Sequence, residues 1–159
     1  MTITLSVVLI VVLTVVLYQD IMNRTIHITL PVSLFLIAMS INFISIDLDF
    51  YNILYNIAFV LINILGLTLY FSFKNKVFIN PIDTFIGLGD IVFFIAITPL
   101  FTLKPFILFF IIGLLFSLLV HGVYSIFKNG KTIPLAGYLA LFLMINVVAK
   151  SIFKINVLF

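Results

Sequence analysis

Two residues in this chain sit where a charge is costly. Asp20 closes a long apolar run, and Asp90 lies inside another, Phe85-Ile86-Gly87-Leu88-Gly89-Asp90-Ile91-Val92-Phe93-Phe94. A charge at the centre of a bilayer costs at least ~2.5–3.5 kcal/mol on insertion scales, so such residues are usually paired, face a cavity and serve a function. The chain offers few other groups for chemistry. It has no glutamate and no cysteine, so carboxylate chemistry falls to Asp20, Asp47, Asp49, Asp83 and Asp90. Without cysteine there is no disulfide, thiolate metal site or thiol nucleophile. Gly87 and Gly89 stand just before Asp90. Glycine permits unusual backbone angles and close helix approach, and irregular backbone at membrane depth is tolerated where it lines a cavity. A loosened helix start beside a carboxylate is what peptide hydrolysis needs to admit an extended substrate and water.

The elements that must position these aspartates follow from hydropathy. Of the 159 residues, 65% are hydrophobic and 8% charged, and the mean hydropathy is +1.44. Soluble domains carry roughly 25% charged residues, so lipid must be the solvent. The expected fold class is all-α: a polytopic membrane protein whose residues 1–159 form one bundle of about six transmembrane helices. Spanning takes ~20 apolar residues. The candidate spans are 2–18, 28–44, 53–73, 85–103, 105–127 and 135–149, with a tight turn at Thr102-Leu103-Lys104-Pro105 and an interfacial tail over 151–159. The first run lacks a preceding Lys or Arg and a cleavage site, so it reads as a permanent helix.

Lys and Arg set the orientation. With the N-terminus outside, inner loops hold Arg24, Lys74, Lys76, Lys128 and Lys131, and outer segments hold Lys104, Lys150 and Lys154. Both termini are then outside, and Asp20 and Asp90 share the cytoplasmic ends of their helices, where they could meet. The net charge of +3 is too small and dispersed for nucleic-acid binding. Asp83 suits an N-cap. Arg24 could pair with Asp20 at i,i+4 if the helix continues, or meet lipid phosphates. His121 reads as a packing residue, His27 as a possible neighbour of the site, and Asp47 and Asp49 as a solvated outer loop.

Gly87-Leu88-Gly89-Asp90 resembles the Gly-x-Gly-Asp signature of intramembrane aspartyl proteases. The other features resemble the prepilin peptidases within that group. Those enzymes place a first aspartate at the end of the first helix, followed by a basic residue and Ile-Pro. Asp20-Ile21-Met22-Asn23-Arg24-Thr25-Ile26-His27 is similar, with His27 where proline is usual. A late Ile-Pro segment is matched by Ile133-Pro134-Leu135-Ala136-Gly137. Many members continue the signature with Val-Lys, whereas here Ile91-Val92 follows. The cysteine-bearing segment that longer members link to N-methylation is absent, so methyl transfer is not implied. Presenilin-like proteins share Gly-Leu-Gly-Asp, but their two aspartates lie on consecutive helices; here two complete spans separate Asp20 from Asp90.

The resemblance implies a membrane aspartic endopeptidase of the inner (cytoplasmic) membrane. Its catalytic pair would be Asp20 and Asp90, its active-site backbone Gly87 and Gly89, and its substrate-site residues Arg24 and Pro134. Two adjacent carboxylates share one proton: the ionised partner takes a proton from water and the protonated one supports the scissile carbonyl oxygen. No metal or organic cofactor is required. The implied partners are the lipid bilayer and a prepilin or pseudopilin-like precursor. The alternatives are a presenilin-like intramembrane protease, a transporter or proton relay, and an inactive relative acting as a scaffold.

Overall fold

The computed structural model describes residues 3–45, 50–76, 86–127 and 133–153. Among them are six α-helices: α1 (Ile3–Asn23), α2 (Thr29–Ser45), α3 (Phe50–Asn75), α4 (Leu88–Ile97), α5 (Leu103–Phe127) and α6 (Leu135–Phe153), with a 3-10 turn, Thr98–Leu100, after α4. The described residues form an all-α membrane bundle. Three stretches, Thr4–Asn23, Phe50–Asn75 and Leu103–Ser125, are long and apolar enough to cross a membrane; the apolar stretches Thr29–Ile44, Leu88–Leu100 and Leu135–Ser151 are shorter. Leucines, valines and phenylalanines are exposed all round the outside, as on α3 with Leu54, Leu61, Leu65 and Phe73. Water would penalise that surface and lipid does not.

The core is built from one stripe of each helix. On α1 it runs Leu9, Leu13 and Val16, all fully buried, and continues into Asp20. Steps of four and three residues keep one helical face, so the stripe that packs α1 also carries Asp20 inward. α6 supplies Ala136, Leu139, Ala140, Leu143 and Val147, whose alanines let α1 approach. α5 supplies Phe106 and Phe109; the Phe109 ring lies 5.0 Å from Phe101 and 5.4 Å from Phe142. At Gly113 an added Cβ would stand 2.7 Å from Cδ2 of the fully buried Leu139, so a larger residue there would have to displace that side chain.

α4 departs most from expectation. In place of a span over 85–103, the α-helix occupies ten residues, about 15 Å at 1.5 Å per residue. Its end is chemically marked. Thr98 donates through Oγ1 to the Ile95 carbonyl at 2.8 Å, and Pro99, which has no N–H and cannot continue the ladder, sits inside the 3-10 turn. Carbonyls freed there would be costly in a bilayer. Asn42 of α2 donates to the Pro99 carbonyl at 2.6 Å, and Asn56 of α3 donates to the carbonyls of Thr98 and Phe101 at 3.1 and 2.8 Å.

Other boundaries also move. α1 runs on to Asn23, which places Asp20 within its last turns and not after its end. α5 begins at Leu103, so Lys104 and Pro105 belong to its first turn, and the break lies at Phe101 and Thr102. The first turn of a helix needs no intrahelical N–H donors, so Pro105 is accommodated. α6 reaches Phe153. Asp47, Asp49, Asp83, Lys128, Lys131 and Lys154, with the rest of the tail, lie outside the described residues.

Candidate functional site

Five chain segments gather at one end of the bundle: the end of α1, the start of α2, the start of α4, the middle of α5 and the start of α6. They enclose a cleft of about 860 Å³ whose lining includes Asp20, Arg24, Gly87, Gly89 and Asp90.

The start of α6 organises the two carboxylates. Pro134 precedes the helix, and its carbonyl accepts from the Tyr138 N–H at 3.1 Å. Pro134 is therefore the cap residue, but its side chain has no acceptor, and the first-turn amides must find partners elsewhere. They find the aspartates. The Ala136 N–H donates to Asp90 Oδ1 at 2.8 Å, and the Gly137 N–H donates to Asp20 Oδ2 at 2.7 Å. Neighbouring amides of one helix turn thus hold two carboxylates that arrive from α1 and α4. Amide-to-carboxylate hydrogen bonds are worth roughly 1.5–3 kcal/mol each, and the helix N-terminus favours negative charge by a further ~0.3–1 kcal/mol. These gains are of the size needed to offset the insertion cost of an aspartate. The two side chains are also within Coulombic reach of each other.

Gly137 sits close against Asp20. A Cβ there would lie 3.2 Å from both Cβ and Oδ2 of Asp20 and 3.5 Å from the Leu17 carbonyl. Gly87 has extended backbone, φ −65° and ψ 139°, and a Cβ on it would stand 3.1 Å from Asp90 Oδ2. A Cβ on Gly89 would touch Ile26 at 3.4 Å. No glycine among the described residues has positive φ. In the Gly-Leu-Gly-Asp segment Gly87 is extended, ahead of a helix that starts at Leu88, and is tight against Asp90, whereas Gly89 meets Ile26 at ordinary contact distance.

Arg24 does not continue α1 toward Asp20 as a helical i,i+4 residue would, although its charge still acts on Asp20. The helix ends at Asn23, and Arg24 adopts left-handed backbone with φ 57°. Its N–H donates to the Asp20 carbonyl at 3.1 Å, a left-handed helix ending usually given to glycine. Arg24 lines the cleft from this position. Pro134 is buried and acts through backbone, while its neighbours Ile133 and Leu135 line the cleft. His27 is exposed; its N–H donates to Gln19 Oε1 at 3.1 Å and its Nδ1 lies 2.9 Å from Thr29 Oγ1. His121 lies 6.5 Å, ring to ring, from Tyr138. Among the described residues no three His, Cys, Asp or Glu side chains gather as a metal site would require.

The amides of Ala136 and Gly137 were not foreseen as functional, because backbone donors carry no residue-type signal. A trace was present in Pro134 followed by Gly137, a helix start without a capping side chain next to a residue small enough for close approach. Comparison of the chain with protein-family models, with curated proteins and with solved structures finds no match in any of the three.

Proposed function

We propose that this chain is a membrane aspartic endopeptidase in which Asp20 and Asp90 form the catalytic pair. The observation that carries the reading is the capture of both carboxylates by adjacent amides of α6, at the wall of a cleft that also holds Gly87 and Gly89. Each carboxylate is fixed through one oxygen by an α6 amide, Asp90 through Oδ1 and Asp20 through Oδ2. The ionised carboxylate takes a proton from water as the water attacks the scissile carbonyl, and the protonated one donates to the carbonyl oxygen. As the tetrahedral intermediate collapses the C–N bond breaks, the first carboxyl passes its proton to the leaving nitrogen, and the second regains its own from the diol hydroxyl. The Ala136 and Gly137 amides keep both groups oriented throughout. The substrate class is a type IV prepilin or pseudopilin-like precursor, cut between its short leader and its apolar helix. That junction is already extended, and the cleft rim carries exposed apolar side chains such as Leu88 and Leu118 against which an apolar helix can lie. The protein resides in the inner (cytoplasmic) membrane with the cleft toward the cytoplasm, as the Lys and Arg placement favours.

The test incubates the membrane protein with a prepilin-type precursor and, separately, with a substrate whose only cleavable bond lies mid-membrane. Cleavage of the first, lost in Asp20→Asn and in Asp90→Asn with protein level maintained, supports the reading. Full activity of Asp90→Asn sinks it. Cleavage of the mid-membrane substrate alone would move the protein to the presenilin-like group, and cleavage of neither would leave the scaffold.

A further inference from the structure

Far from the cleft, α4 ends in the 3-10 turn that Asn42 and Asn56 hold. Both asparagines are buried, at 3% and 0% exposure. Their amide nitrogens make three hydrogen bonds to the carbonyls of Thr98, Pro99 and Phe101. Their Oδ1 atoms meet no donor among the described residues. A buried acceptor left unpaired costs roughly 1–3 kcal/mol, so these residues are not the most stable filling for the space. What they supply is a directional hold on a broken helix at membrane depth.

α4 needs such a hold. The side chains it buries, Phe93, Phe94, Ala96 and Ile97, are all apolar, and apolar contact is non-directional. It resists separation but only weakly resists sliding or rotation. A slip by one residue turns a helix by about 100° and moves it about 1.5 Å. The hydrogen bond from Ala136 to Asp90, 2.8 Å long, would not survive that.

We infer that Asn42 and Asn56 are positioning residues for Asp90: they fix the height and rotation of α4 from its far end and thereby align Asp90 with Asp20. The inference rests on the proteolytic reading for its kinetic consequence but not for its geometric one. Asn56 makes two of the three bonds and carries more of the alignment than Asn42.

Two measurements test this. In the cleavage assay, Asn56→Leu is expected to lower kcat about tenfold to a hundredfold, with KM changed less than about twofold, because small misplacements of a reacting group cost rate and not affinity. Asn42→Leu is expected to do the same more mildly. The second measurement needs no activity. The chain has no cysteine, and a Cβ built on Gly89 lies 3.7 Å from the Ile26 Cβ, inside the range of about 3.5–4.5 Å that a disulfide spans. Ile26→Cys with Gly89→Cys should therefore cross-link on oxidation, and adding Asn56→Leu should cut the yield sharply. A normal kcat in the folded fraction, or a lowered kcat with the cross-link undiminished, overturns the inference. So does loss of both leucine variants from the membrane, which would make the asparagines purely structural. If the parent protein cleaves nothing but the cross-link still depends on Asn56, the proteolytic reading fails and the positioning stands.

Discussion

Asp20 shares its face of α1 with Leu9, Leu13 and Val16, and Asp90 sits in the first turn of α4; both could be singled out in the sequence because a carboxylate among apolar residues has an energetic cost that demands a reason. Their partners could not. The donors are the Ala136 and Gly137 amides, and any residue but proline has an amide. Arg24 was legible as a neighbour of Asp20 but not in its left-handed backbone, since only the end of α1 creates that requirement. The residue-scale test is Gly137→Ala. Its Cβ would stand 3.2 Å from both Cβ and Oδ2 of Asp20, so the Asp20 side chain would have to give way by a few tenths of an ångström. Cleavage is expected to fall about tenfold or more, equivalent to ~1.4 kcal/mol of transition-state stabilisation, while the amount of protein in the membrane stays close to normal. An unchanged rate in the purified variant would show that the Asp20–Gly137 contact is dispensable.

At the scale of elements, hydropathy located all six helices but misjudged α4, because an apolar segment reads the same whether it is helical throughout or broken by Pro99. Asn42 and Asn56 were visible as asparagines in apolar runs, but their role depends on a turn more than 40 positions away. The glycines of the other helices separate by contact in the same way. Gly113 abuts Leu139 at 2.7 Å, whereas Gly66 and Gly122 have nothing within 4 Å. Gly113→Val is expected to push α5 and α6 apart and to destabilise the bundle by ~1–3 kcal/mol, as overpacking does. Gly66→Ala and Gly122→Ala remove a helix-weakening glycine at an open position and should be neutral or stabilising by up to ~1 kcal/mol. Thermal unfolding in detergent distinguishes the two groups; equal melting temperatures for all three variants would show that α5 and α6 do not pack as described.

For the whole molecule, the packing order of the helices was not legible, because lipid-facing and buried faces are both apolar and no amphipathic stripe separates them. The union of α1 with α6, across 117 positions from Asp20 to Gly137, draws on small residues and on the Gly137 amide bond to Asp20, which hydropathy does not register. Orientation relative to the membrane rests on charge alone. The end that holds the cleft also holds Arg24, while Lys104 at the start of α5 and Lys150 near the end of α6 belong to the opposite end. Short loops rich in Lys and Arg stay in the cytoplasm; Lys74 stands in the last turn of α3 and Lys76 just after it, while Lys128 and Lys131 lie outside the described residues. By sequence, five cationic residues in the expected inner loops stand against three in the expected outer segments, a bias that reporter fusions test. Reporter fusions placed after Asn75 and after Asn129 are expected to report the cytoplasm, and a fusion at the C-terminus the opposite side. A periplasmic signal after Asn75 or Asn129 would invert the protein. The dyad would then face away from the compartment in which a membrane-anchored precursor presents its leader, and the proposed substrate would go with it even if the two aspartates proved essential.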